Sequence, residues 1–182
     1  MEIIRPNLSK AVKAIKSGKV LVCPTDTVYG LVCDMSNKET VGKFFLIKQR
    51  PPNKPIPIFV KGIAMAKEFA EINKKQEAFL RKVWPGAVTA VLKSKKGEGT
   101  IGMRIPKYKF ILDIIRILGR PLAETSANLS GQPSTTKIKE VIKYFKGREY
   151  GPDLVLDAGD LKPAKPSQVI DFTGSEPKVL RK

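Results

Sequence analysis

The chain has 182 residues, enough for one domain with a core of its own, and a hydrophobic content of 42%, which is globular rather than disordered. Its 34 basic and 17 acidic residues leave a formal net charge of +17, which favours polyanionic partners; a lysine-rich surface suited to solubility or heat is the other reading. Histidine is absent and only Cys23 and Cys33 are cysteines, which excludes a Ser-His-Asp triad, a Cys-His dyad and a His-ligated zinc site.

Met1 to Pro6 carries no apolar signal-peptide core, and no apolar run reaches membrane-spanning length. A cytoplasmic setting with free thiols is expected, the two cysteines serving as buried packing. Asn7 or Ser9 is placed to cap a first helix carrying Leu8, Ala11, Val12 and Ile15. Val20–Cys23 reads as a buried strand closed by Pro24, and Val28–Cys33 continues extended. Asn37 opens a helix that ends at Arg50, before Pro51-Pro52. Ile56–Val60 is a strand, Ala64–Ala70 and Gln76–Val83 are helical, and Ala87–Leu92 and Thr100–Ile105 form two strands joined by the turn Ser94–Gly99. Phe110–Leu118 is an apolar helix, followed by a short strand at Leu122–Glu124 and a polar loop over Thr125–Ser134. Lys137–Phe145 is a helix, and Asp153–Asp157 and Gln168–Phe172 are strands. This alternation, broken by a hairpin, predicts an α/β fold around a mixed parallel and antiparallel sheet with flanking helices.

Gly97-Glu98-Gly99-Thr100-Ile101-Gly102 spells a dinucleotide-binding fingerprint, but it leads into a strand rather than a helix, so it reads as a hairpin turn. No Walker-type phosphate loop is present. Three polar segments stand out among core-like residues. Pro24-Thr25-Asp26-Thr27-Val28-Tyr29-Gly30-Leu31 sets three side-chain acceptors at a strand end, where ligands sit in α/β sheets; a turn with Asp26 bonding its own backbone is the alternative. Lys48, Arg50 and Lys54 gather cations in a proline-stiffened stretch suited to phosphate, although a helix C-terminus also favours cations. Thr125–Thr136 is dense in hydroxyls and amides. Ser134 or Thr136 is placed to cap the helix at Lys137, which would present backbone N–H groups to an anion.

In this order and spacing the segments resemble the YrdC family, the threonylcarbamoyl-AMP synthases. That family carries P-T-D-T-x-Y-G-L, K-x-R and T-S-A-N-x-S-G-x-P signatures, matched here by Pro24–Leu31, Lys48 with Arg50, and Thr125–Pro133. Met103–Pro106, Leu156–Gly159, Pro166–Val169 and Val179–Arg181 echo further family pieces, so the likeness spans nearly the whole chain. Phe59 and Tyr108 stand where the family often has histidine, and Gln168 where it has threonine.

The resemblance implies a YrdC-like twisted sheet with a basic concave surface, here as a single domain over residues 1–182. It implies that L-threonine, bicarbonate and ATP give threonylcarbamoyl-AMP and pyrophosphate, with Mg²⁺ carried mainly on phosphate oxygens and no dedicated protein metal site. By the same resemblance Lys48 and Arg50 are catalytic. Arg50, Lys54, Thr100, Asn128, Thr136 and Arg181 contact ATP, and Thr27, Arg104, Ser126 and Ser167 hold threonine. The product would pass to a tRNA threonylcarbamoyltransferase, with RNA contact through the basic surface and no membrane partner. Two other readings stay open: a non-catalytic RNA-binding module of this fold, and a carbamoyl-adenylate domain like that of hydrogenase-maturation proteins. The segment Val179–Lys182 is expected to be a mobile tail that orders when ATP binds, bringing Arg181 onto phosphate.

Overall fold

The computed structural model describes residues 1–51, 55–97 and 99–182. Asparagines start several of its helices. Asn7 accepts from the Lys10 amide and opens α1 (Leu8–Lys16), with no cap from Ser9. Asn37 accepts from Thr40 and opens α2 (Lys38–Lys48), which stops at Gln49 in a left-handed conformation. After α3 (Ile63–Phe69), Asn73 and Gln76 bond each other's backbone in a capping box at the head of α4 (Lys74–Val83). Two further helices are α5 (Lys109–Leu118) and α6 (Ile138–Phe145). The expected cap of α6 by Ser134 or Thr136 is not formed: Lys137 holds the N-cap position without a side-chain cap, while Thr135 accepts from the Lys137 amide and Asp160 from the Ile138 amide.

The strands are β1 (Glu2–Ile4), β2 (Leu21–Cys23), β3 (Gly30–Asp34), β4 (Ile58–Phe59), β5 (Val88–Lys93), β6 (Thr100–Arg104), β7 (Leu122–Ser126), β8 (Leu154–Leu156), β9 (Gln168–Asp171) and β10 (Lys178–Arg181). Among the described residues they make one sheet in the order β1-β8-β2-β3-β7-β4-β6-β5-β9-β10. Four of its pairings are parallel and five antiparallel, so the mixed sheet is as expected. Gly97 and Gly99 sit at φ 95° and 112° between the antiparallel β5 and β6, where a side chain would be strained; the glycine run is a hairpin turn. Two differences matter for the site. Strand β7 runs on through Thr125 and Ser126, which were expected in a loop. The C-terminal segment, expected to be a tail, is a strand, β10, paired antiparallel to β9.

Residues opposite each other in a ladder share a face, and neighbours along a strand alternate. On one face Val20, Val22, Leu31, Cys33 and Ala123 cluster with Phe44 and Ile47 of α2 and Ile138, Val141 and Phe145 of α6. On the other, Leu21, Cys23 and Val32 share a cluster with Ala11 and Ile15 of α1 and Ile111, Ile114 and Ile115 of α5. Both thiols are buried in these layers, and burial pushes them up, that of Cys33 to about 12, so they pack rather than react. Met65 and Ala66 of α3 and Leu80 of α4 bring Ala90, Leu92 and Met103 into the larger cluster. The alternate residues of that half of the sheet, Thr89, Val91, Gly102 and Arg104, belong to neither helix-covered cluster among the described residues. They floor a cavity instead. No helix among the described residues is long and apolar enough to cross a membrane.

Candidate active site

The cavity measures about 330 Å³ and takes lining residues from Thr25 through Arg181. The Pro24–Leu31 segment leaves β2 and turns back into β3. There Thr25 donates to the Val28 carbonyl at 2.7 Å and accepts from the Thr27 amide at 3.1 Å. The Tyr29 hydroxyl donates to the Gly159 carbonyl at 2.6 Å and accepts from Ala158, while its backbone pairs with Thr135 and Ala127. One tyrosine thus ties three of the motif-bearing segments together.

Arg104 lies on β6 and is only 2% exposed. Its Nε donates to the Gly86 carbonyl at 2.8 Å, one terminal nitrogen to Thr27 Oγ1 at 3.2 Å, and the other to Asp26 Oδ1 at 2.5 Å. Asp26 also accepts from the Lys107 amide, so it is a partner of Arg104 and not the self-bonded turn residue of the alternative reading. Phe59, opposite Arg104 in the ladder, places its ring 5.7 Å from the guanidinium carbon. Gly86 is required by close approach: a Cβ there would stand 2.6 Å from the Val83 carbonyl oxygen. A guanidinium has five N–H groups. Among the described residues three are engaged and two are not.

Ser167 is buried, shares a 2.9 Å hydrogen bond with Thr89 Oγ1, and has its carbonyl clasped by Arg181 Nε and a terminal nitrogen at 2.9 and 2.7 Å. Arg50 also lines the cavity. One of its terminal nitrogens donates to the Pro55 carbonyl at 2.9 Å, and its buried Nε has no partner among the described residues. Thr100 stands exposed on the lining and Ser126 on the wall formed by β7.

Lys48 is placed differently from the reading of the sequence. It is 4% exposed and stands behind the wall, where its ammonium donates to the Ser126 carbonyl at 2.7 Å and to Asn128 Oδ1 at 2.5 Å. Its own carbonyl accepts from the Ser130 amide and hydroxyl. Burial and the charge of Arg50 push the Lys48 ammonium down to about 7, with Glu124 pulling the other way. Asn128 is held by Lys48 and Gln132 and does not line the cavity. Thr136 is not brought there either: the chain after Asn128 pairs Thr135 with Tyr29 and turns away, and the Thr136 carbonyl accepts from Leu161. Lys54 lies outside the described residues.

Seven expected residues, Thr27, Arg50, Thr100, Arg104, Ser126, Ser167 and Arg181, therefore meet on one cavity. Thr89 and Glu124 were not singled out for roles, and Asp26 was read only as one of three acceptors at a strand end. A hydroxyl alternating with apolar residues in Val88–Leu92, and a carboxylate between Ala123 and Thr125 in a strand, are the signals that mark two of them. The only charged side chains in the described lining are three arginines and Glu124.

The sequence profile of the Sua5/YciO/YrdC family, described as "Telomere recombination", matches residues 13–182. The threonylcarbamoyl-AMP synthase of Pyrococcus abyssi is 32% identical over 176 residues, 92% of this chain and 51% of that one, so the chain spans about half the length of this relative. That of Psychromonas ingrahamii is 29% identical over 185 residues, 96% of this chain and 95% of that one. The crystal structure of P. abyssi Sua5 complexed with L-threonine superposes with a TM-score of 0.88 at 30% identity, covering 99% of this chain and 56% of that one. The protein whose cavity is described above belongs to the Sua5/YciO/YrdC family.

Proposed function

We propose that the chain is a threonylcarbamoyl-AMP synthase that condenses L-threonine, bicarbonate and ATP into threonylcarbamoyl-AMP and pyrophosphate, for threonylcarbamoyladenosine modification of tRNA. The observation that carries this reading is the buried Arg104, with two N–H groups to spare, in the cavity of a chain whose relative was crystallised with L-threonine. A planar fork fixed on three sides is suited to a carboxylate. Thr27 and Ser167 offer hydroxyls beside it for the polar atoms of the amino acid. The amine of threonine captures bicarbonate as a carbamate, whose oxygen attacks the α-phosphorus of ATP as pyrophosphate leaves. Arg50, Arg181 and Lys54 neutralise the phosphates, and Ser126 and Thr100 contact the nucleotide or the amino acid. Lys48 acts through its charge and through its hold on Ser126 and Asn128. Catalysis by such a site is positioning plus charge stabilisation. Mg²⁺ would come as part of the nucleotide substrate and would supply charge neutralisation at the phosphates. The adenylate then passes to a tRNA threonylcarbamoyltransferase.

Pyrophosphate release from ATP and bicarbonate is the test. Release is expected with threonine and not with valine, because a site that bonds a hydroxyl leaves its partners unpaired when the hydroxyl is missing. Release independent of threonine, or none, overturns the assignment. The second outcome would leave a non-catalytic module of the same fold.

A further inference from the structure

Glu124 is the one charged group in the described cavity lining that the roles above do not use. It lies mid-strand on β7, between β3 and β4, opposite Val32. The cations that act on it are each committed elsewhere: Arg104 to Gly86, Thr27 and Asp26, Arg181 to Ser167, and Lys48 to Ser126 and Asn128. No described residue donates a hydrogen bond to its carboxylate. A carboxylate in a cleft with neither an ion pair nor a donor among the described residues is open to a ligand, and such groups are candidates for chemistry.

The proposed reaction has a step that lacks a group. Free threonine arrives as an ammonium, which is no nucleophile and is repelled by three arginines. Its carboxylate and its nitrogen are bonded to the same carbon. A carboxylate held on Arg104 therefore brings the nitrogen among the neighbours of Arg104, and Glu124 lines the same cavity on the same sheet face: Phe59 stands opposite Arg104 in one ladder and opposite Leu122, two residues before Glu124, in the next. We infer, resting on the function proposed above, that Glu124 is the proton acceptor for the substrate ammonium in carbamate formation. The ammonium gives one proton to the Glu124 carboxylate and becomes a neutral amine. The nitrogen lone pair then forms a bond to the bicarbonate carbon, and the C–OH bond breaks. The hydroxyl leaves as water with a second nitrogen proton. The products are a carbamate, water and a protonated Glu124. Burial supports this role, because it holds the Glu124 carboxyl above the ordinary carboxylate range. Asp26 adds to that push, against Arg104, Arg181 and Lys48, and the result is a stronger base than an exposed glutamate.

The test is Glu124→Gln in the full chain, followed by threonine-dependent pyrophosphate release from pH 6 to 10. The wild-type rate is expected to rise with pH through a group above the ordinary carboxylate range. The variant is expected to be about 100-fold slower near neutrality. It should recover roughly tenfold per pH unit, as the free amine forms without help. Calorimetric affinities for ATP should match wild type, and so should a melting temperature no lower than wild type at neutral pH, which together show an intact fold. A variant rate within about threefold of wild type with the same pH profile overturns the inference. A deficit confined to the KM for threonine overturns it, as does one that excess Mg²⁺ restores, which would make Glu124 a metal ligand. If the wild type itself releases no threonine-dependent pyrophosphate, the proposed function fails and takes this role with it. If only Glu124→Gln behaves as wild type, the role alone fails.

Discussion

Lys48 pairs a charged end with carbonyl acceptors in a place where water does not reach, and its ammonium is pushed down to about 7. Phosphate oxygens nearby favour the charged form and raise that value. Between the free and bound values the protein must then take up protons when ATP binds; below pH 7 Lys48 is already charged and uptake fades. Calorimetry of ATP binding at pH 8, in buffers of different ionisation enthalpy, should show net uptake in wild type and much less in Lys48→Met. Equal uptake in both would assign the proton to another group. At this scale the sequence was legible where a motif names a residue, and less so where burial decides its orientation. Lys48 and Arg50 are two residues apart in one motif. The left-handed Gln49 separates them, so that one turns behind the wall and the other toward the cavity. Asp26 was read as an acceptor, but its partner Arg104 lies 78 residues away, beyond the reach of any local pattern.

The helices and central strands could be read directly, because asparagine caps and apolar periodicity are local. The terminal strands could not. At three and four residues, β1 and β10 are too short to show alternation, and their place is set by β8 and β9. All of β10 is exposed and it pairs on one side only, so it contributes little burial. Its work is the clasp of Arg181 on the Ser167 carbonyl. Deleting residues 178–182 should therefore cost about 1 kcal/mol or less of stability. It should weaken ATP and threonine binding alike, each several-fold, since one anchor both lines the cavity and positions Ser167. Denaturant melts with titrations of each ligand decide this. A loss of ATP affinity with threonine binding untouched would assign Arg181 to phosphate alone.

The whole molecule carries a net charge of +17 and a cavity lined by three arginines and one glutamate. ATP is a polyanion and threonine a zwitterion, so long-range attraction acts on the first and hardly on the second. Raising salt from 50 to 500 mM should lower ATP affinity several-fold or more and leave threonine affinity within about twofold. Parallel losses would mean that salt acts on the fold rather than on steering. The fold class followed from the alternation of elements, but the bare stretch of sheet that makes the cavity depends on where the helices come to rest, which no local pattern states. The cavity wall also draws on chain from Thr25 to Arg181. No piece that lacks either end of that stretch holds a complete site, and a form opened among the lining strands loses it. Occupancy by substrate is then coupled to folding, and adds RT ln(1 + [L]/Kd) to the stability against every opening that breaks the site. A cell rich in substrate would protect the chain from proteases as a unit. Depletion would expose it as a unit, so that its abundance tracks the supply of what it consumes.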